Sequence, residues 1–274
     1  MPELPEVETI VRRCRPRVEG RRIRAFASSW AKNEFPSVSH VRRGVVGRTV
    51  TRLGRRAKFI VFHMEDGGHL LVHLRMSGRL EWADQPGFRP EHIRAHWDLD
   101  DGRRLLFCDA RKFGRIVYTR DLPATTAALG PEPLEPEFTP RVLARILRRR
   151  RRQLKPLLLD QTAIAGLGNI YTDEALHAAG LHPLTRADTL SDVQVRRLHA
   201  AIRRILRLAI RNHGTTIDWI YPGGWMQRRL RVYGRTDEPC CDCGTPIVAL
   251  RVGQRSTHFC PRCQPLRGVR GRRH

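Results

Sequence analysis

The 274 residues contain no apolar run long enough to cross a bilayer, and the start, MPELPEVET, is acidic and proline-containing, unlike a secretory leader. These absences argue against a membrane-embedded or exported protein and lead to the expectation of a cytoplasmic one. No internal repeat is present, which excludes a solenoid. Three of the seven cysteines have no evident partner, so a disulfide framework is not expected either. Lysine is scarce, standing only at Lys32, Lys58, Lys112 and Lys155, and acidic residues number 27 against 51 basic ones.

Arginine is abundant. The formal charge is +24, the sequence pI is about 11.3, and the run Arg148 to Arg152 is followed closely by Lys155. Blocks of like charge repel unless a polyanion neutralises them, and the guanidinium fork suits phosphate, so the first partner to consider is nucleic acid. Hydrophobic content of 41% is ordinary for a globular chain, and the length suits about two domains.

Helical spacing of Val7, Ile10, Val11, Cys14 and Val18 predicts an amphipathic helix from Pro5 to Gly20, with Pro16 in its last turn and Cys14 as a small core residue. From Arg48 to Tyr118 short alternating runs replace that pattern, with Asp66-Gly67 and Asp101-Gly102 as hairpin signals, so a β-sandwich is expected. LGPEPLEPEFTP then interrupts the basic chain as a linker, and Thr139-Pro140 opens a helical region as N-cap and first turn. Helices are predicted over 142–152, 156–161, 170–179 and 191–212, with the tight turn AIAGLGNIY between the second and third. The expected fold class is α+β: an N-terminal β-sandwich domain over 1–130, a linker over 131–138, a helix, two-turn, helix domain over 139–230, and a four-cysteine finger with a basic tail over 231–274.

Four groups of residues carry chemistry. Loss of Met1 would leave Pro2 with a free secondary amine, and an α-amino group titrates near ~7.7–8.0, so part of it is a nucleophile at neutral pH without burial. Cys240, Cys243, Cys260 and Cys263 stand in C-x2-C-x16-C-x2-C spacing, which completes a tetrahedral zinc shell with no open position, and hence one structural zinc. Cys241 breaks the spacing and is left out. Between the pairs, Gly253 marks a hairpin tip presenting Gln254 and Arg255. GLGN resembles a phosphate cradle at a helix start. HLRMSGRL and CDARKFGR each set an apolar residue among cations, Met76 in one and Phe113 beside Arg111 in the other, a composition suited to wedging into a base stack. Lys58 begins a strand among arginines, a setting for proton transfer or phosphate contact.

Together, PELPEVET, Lys58, HLRMSGRL, DARKFG, LKPLLLDQTAIAGLGNIYTDEAL, VYGRTDEPC and GQRSTHFC resemble the formamidopyrimidine-DNA glycosylase family in identity and order, over nearly the whole chain. The resemblance implies a protein that binds damaged double-stranded DNA in a cleft, flips an oxidised purine and excises it, and nothing in the sequence requires more than a monomer. It implies Pro2 as the Schiff-base nucleophile at C1′, Glu3 as its acid/base, Lys58 in β-elimination and Arg255 in δ-elimination. It also implies Asn169 and Lys155 as phosphate ligands, His92, Arg111 and Arg151 as further DNA contacts, and Met76, Arg111 and Phe113 as the residues that fill the hole. Arg151 takes a position where a lysine is familiar, inside a run of five arginines. TTIDWIYPGGWMQRRLRVYGR, where the family carries a lesion-capping loop, holds Trp219, Tyr221 and Trp225, and no lesion contact is assigned there. Two other readings are an endonuclease VIII-like enzyme for oxidised pyrimidines, against which Leu4 stands in place of glycine, and a non-catalytic zinc-ribbon protein, for which the terminus is an accident.

Overall fold

Glu3 and Pro5 start helix α1 (Leu4–Val18), and its periodic face, Val7, Ile10, Val11, Cys14 and Val18, is buried as the spacing predicts. The computed structural model describes residues 1–84, 91–216 and 223–266. After α1 come β1 (Ile23–Ser28), β2 (Glu34–Phe35), α2 (Val38–Val45), β3 (Val50–Arg56), β4 (Phe59–Met64), β5 (His69–His73), β6 (Gly78–Trp82), β7 (Ile93–Leu99), β8 (Arg104–Asp109) and β9 (Arg115–Thr119). They form two sheets, ordered β1-β7-β8-β6 and β2-β9-β5-β4-β3, antiparallel except for the short β2·β9 pair. Both expected hairpins are present: Asp66-Gly67 lies in the β4–β5 turn and Asp101-Gly102 in the β7–β8 turn. Strand alternation aims Ala95, Trp97 and Leu99 of β7 into the core with Phe26, Phe62 and Phe107, where Trp97 packs 5.6 Å from Phe26 and 6.2 Å from Phe62 between ring centroids. Each such buried side chain contributes about 1.5–3 kcal/mol.

The helical region comprises a short α3 (Leu122–Thr126), then α4 (Pro140–Arg148), α5 (Leu154–Leu159), α6 (Asn169–Ala179) and α7 (Asp192–Arg211), followed by the hairpin β10 (Val248–Val252) and β11 (Arg255–Phe259). Thr139 caps α4 through the Val142 N–H, Ser191 caps α7 through Gln194, and α6 ends on Gly180 in the left-handed conformation that a helix C-terminus favours in glycine. On α7 the buried residues Val195, Leu198, Ile202, Ile205, Leu206 and Ala209 recur at helical spacing.

The chain divides into two compact units, Met1–Ala128 with His213–Trp225, and Leu129–Asn212 with Met226–His274. The packing groups two stretches differently from the expected domains. The stretch read as a linker groups with the second unit, because the Gly130 N–H donates to the Gln161 carbonyl and the Ala165 N–H to that of Pro131. Residues 213–225, expected in the helical domain, group with the first, because the Thr215 N–H donates to the buried Glu6 carboxylate at 2.8 Å. Among the described residues no helix is long and apolar enough to cross a membrane.

Candidate functional site

In the first unit Pro2 is buried ahead of α1 and Glu3, the helix N-cap, is 2% exposed. Glu6, fully buried, fixes this terminus with both oxygens: Oε2 accepts from the Glu3 N–H at 2.8 Å and Oε1 from the Thr215 N–H. Lys58 does not begin a strand as expected. Strands β3 and β4 pair out to Arg56 and Phe59, which leaves Ala57 and Lys58 as the two-residue turn, with Ala57 at positive φ. Lys58 is 4% exposed there. Helix α1 packs on β3 and β4, and Arg55, just before the turn, pairs with Glu8 of α1 at 3.2 Å. Burial pushes the Glu8 carboxyl up, but hydrogen bonds and charge from Arg12 and Arg55 outweigh it and hold the group below the usual carboxylate range. His73 at the end of β5 is nearly buried, and desolvation, with Arg75, Lys58 and Arg115 beside it, pushes its pKa down to about 3. It is therefore a neutral ring, and its Nδ1 accepts from the Arg75 N–H at 3.0 Å.

The expected wedge residues sit on adjoining loops of this unit. Met76 is half-buried in the β5–β6 connection, Phe113 is 51% exposed in the β8–β9 connection, and the Arg111 guanidinium stands 4.9 Å from the Phe113 ring centroid. His92, exposed and at positive φ, precedes β7. Trp219 and Tyr221 lie outside the described residues, and Trp225 is half-exposed.

The second unit sorts the arginine run. Arg150 and Arg152 both reach Asp160, at 3.0 and 2.9 Å, and Arg148 reaches Asp192. Arg149 and Arg151 make no ion pair among the described residues, which leaves the exposed Arg151 available for an external anion. Lys155 is enclosed. Its ammonium has no exposed surface and donates to Asp173 Oδ1 and to the Ser256 carbonyl, each at 2.7 Å. Asn169, the first residue of α6, donates to the same carbonyl at 3.0 Å, and Asp173 Oδ2 accepts from the His258 N–H at 3.0 Å. Asp173 therefore joins Lys155 of α5 to β11 through His258, and the Ser256 carbonyl joins Asn169 of the GLGN turn to the same strand. At the hairpin tip Gly253 and Gln254 both take positive φ, the two-residue turn that matches strand twist and suits glycine, and Gln254 and Arg255 are exposed as expected. Glu174, next in α6, accepts from the N–H groups of Arg231, Val232 and Tyr233 at 2.9–3.0 Å and so anchors the approach to the finger; burial nonetheless pushes its carboxyl upward.

Cys240, Cys243, Cys260 and Cys263 bring their sulfurs together, with Cys240–Cys263 at 3.9 Å and Cys243 at 3.4 Å from both Cys260 and Cys263. A tetrahedron with metal–sulfur bonds of about 2.3 Å has edges of about 3.8 Å, so this donor set fits one structural zinc. His177 of α6 lies 3.6 Å from the Cys240 sulfur, placed to donate to it. Cys241 points elsewhere, to Arg235 at 2.8 Å. Burial pushes the Cys14 thiol up to about 12 and that of Cys108 up to about 11, which makes both inert core residues.

Comparison with known proteins matches residues 1–116 to the formamidopyrimidine-DNA glycosylase N-terminal domain and 129–220 to its H2TH domain, and residues 237–266 to the zinc finger found in FPG and IleRS. The chain belongs to the formamidopyrimidine-DNA glycosylase family. Formamidopyrimidine-DNA glycosylase of Chloroflexus aurantiacus is 44% identical over 271 residues, covering 96% of this chain and 98% of that one. The Chloroflexus aggregans protein of the same name is 46% identical over 273 residues, covering 97% and 99%. A crystal structure of a Lactococcus lactis FPG mutant with Fapy-dG-containing DNA superposes with a TM-score of 0.90 at 35% identity, covering 97% of this chain and 100% of that one. A structure of MutM with DNA containing carbocyclic 8-oxo-G gives 0.90 at 34%, with the same coverage. Within this glycosylase framework, sequence reasoning did not assign Glu6, His73, Ser77, Asp109, Asp173 or Glu174. For Glu6 a signal existed, since Glu3 and Glu6 have capping-box spacing. For Ser77, Asp109, Asp173 and Glu174 a partner is distant in sequence, and for His73 the deciding factor is burial by the fold.

Proposed function

We propose that this glycosylase removes oxidised purines from double-stranded DNA and then cleaves the strand, using Pro2 as its nucleophile. With Met1 removed, the Pro2 nitrogen attacks C1′ of the damaged nucleotide and forms the N–C1′ bond. The glycosidic bond breaks, its electron pair leaves with the base, and Glu3 assists sugar opening by proton transfer. The charged iminium then acidifies the 2′ carbon. Lys58 assists loss of a 2′ proton with departure of the 3′ phosphate, and Arg255 assists the second elimination at the 5′ side. Arg151, Asn169 and His92 bind the backbone, Lys155 supports them from its buried pair with Asp173, and Met76, Arg111 and Phe113 fill the space left by the flipped nucleotide. The protein acts as a monomer, in the bacterial cytoplasm with the chromosome.

The observation that carries this reading is the tethering of the terminus: Glu6 bonds both Glu3 and Thr215, so Pro2 heads a fixed first turn rather than a frayed end. The lesion-bearing DNA in the solved relatives supports the substrate class. The Asp160 and Asp173 pairings account for most of the neighbouring cations and leave Arg151 and Arg255 to face a polyanion.

Borohydride trapping on duplexes carrying 8-oxoguanine opposite cytosine or an oxidised pyrimidine, with intact-mass analysis of the protein, tests it. An adduct mapped to Pro2 and formed preferentially with the purine is expected. Preference for the pyrimidine, or no adduct from protein that has lost Met1, overturns it.

A further inference from the structure

We propose that Asp109 and Ser77 form a buried junction that holds the loops of Met76, Arg111–Phe113 and His92 in one fixed arrangement, acting as positioning residues for base flipping. The inference rests on the wedge role given to those loops above. Ser77 is 1% and Asp109 0% exposed, whereas Phe113, four residues along from Asp109, is half-exposed. The tips are open and their base is sealed.

The bonding has one polarity. The Arg111 N–H donates to Ser77 Oγ at 3.0 Å, the Ser77 hydroxyl donates to Asp109 Oδ1 at 2.5 Å, and Asp109 Oδ2 accepts from the Gly114 N–H at 2.7 Å. The carboxylate thus spans the loop that carries Arg111 and Phe113, from its start to its end, while the serine ties that loop to the one carrying Met76. The Asp109 main chain secures the third loop. Its N–H donates to the His92 carbonyl at 3.0 Å and its carbonyl accepts from Arg94 Nε at 2.9 Å. Asp109 also stands opposite Gly78 in the β6·β8 register, directly beyond the Met76 turn.

A carboxylate suits the junction because its two oxygens meet the two donors separately. Asparagine keeps one oxygen for one of them and turns its NH2 to the other, so either the Gly114 N–H loses its acceptor or the Ser77 hydroxyl must turn to accept and its own proton loses its partner. Three of the loop residues, Arg75, His92 and Lys112, hold positive φ, a conformation that persists in non-glycine residues where surrounding bonds over-determine it. The junction supplies bonds at His92 and on both sides of Lys112, while His73 Nδ1 holds the Arg75 N–H. Loops sharing one buried acceptor shift together, so the groups that enter the stack do so as a set.

Ser77→Ala, Asp109→Asn and the double tip variant Met76→Ala/Phe113→Ala test the proposal by trapping on an abasic site in a duplex and in the same strand alone. Only the duplex demands a wedge. Displacing positioned groups by about 1 Å costs up to about a hundredfold, so Ser77→Ala and Asp109→Asn should lose tenfold to a hundredfold on the duplex, with less than about threefold on the single strand. The tip variant should show the same split. Equal loss on both substrates means that the junction only supports the fold, and overturns the proposal. So does a duplex-selective loss in the tip variant that is absent from Ser77→Ala and Asp109→Asn. Failure of the wedge reading looks different, as a tip variant with no duplex defect, and failure of the Schiff-base reading as no adduct from the unaltered enzyme. If Asp109→Asn does not fold, the smaller change Ser77→Ala decides.

Discussion

Each unit arranges the loops proposed to meet DNA around a buried aspartate, yet the two aspartates are satisfied by opposite means. Asp109 in the first unit is held by neutral donors, a serine hydroxyl and a backbone N–H, and the nearby His73 ring is also kept uncharged. Asp173 in the second unit is held by a buried ammonium, and the finger beyond it by four thiolate ligands. Neutral donors lose little solvation on burial, and the geometry they impose depends weakly on its surroundings. A buried ion pair is costly to desolvate but brings distant elements together strongly, and removing one partner leaves a stranded charge. The first unit relies on hydrogen-bond direction and the second on charge. A loop proposed to wedge between bases needs direction, while a finger held to helix α6 needs strength.

The largest effect should come from breaking the charged hub. Lys155→Met should destabilise the protein by about 3–5 kcal/mol, the cost of stranding a buried carboxylate, and Asp173→Asn added to it should recover most of the loss. Urea unfolding of the single and double variants measures both, and a double variant no better than the single one would show that the two units do not differ in this way. Next, His177→Phe should weaken zinc binding by about 10–100-fold, because it removes the donor to the Cys240 thiolate, and His177→Gln should restore part of it. Chelator competition gives the affinities. The smallest effect concerns the neutral side. The folded pKa of His73, about 3, lies below the unfolded value of ~6.5, so between these values the unfolded chain takes up a proton that the folded chain refuses. Stability from this residue is complete above pH ~6.5 and falls by about 1.4 kcal/mol per pH unit below it. His73→Gln should flatten the decline in denaturation midpoint between pH 7 and pH 5 by that amount.

Local rules made much of this legible in the amino-acid sequence. The glycines of Asp66-Gly67 and Asp101-Gly102, the Thr139 cap and the finger spacing each depend on a few consecutive residues, and each appears where those residues predict. The family motifs supplied Pro2 as the proposed nucleophile and the loops proposed as wedges. Strand β1 and helix α2 were not anticipated, because their burial depends on packing against the later strand β7 and the sheet around β9. Asp109 was visible within DARKFG, but its partner Ser77 is 32 residues away, and Glu174 meets Arg231 across 57. Lys155, read as a phosphate ligand from its motif, is sealed by a carboxylate 18 residues on that only the fold brings to it.

The tether between Glu6 and Thr215 also has a consequence for how the protein is made. The chain leaves the first unit after Ala128 and returns to it at His213, so the sandwich emerges from the ribosome long before the residue that satisfies its buried Glu6. At about 5–20 residues per second, that interval is on the order of 4–17 s. During it, the turn that carries Pro2 lacks the bond from Thr215 to Glu6. The turn ahead of α1 is thus locked late, and the amine proposed as the nucleophile is set only once the helical region has been translated.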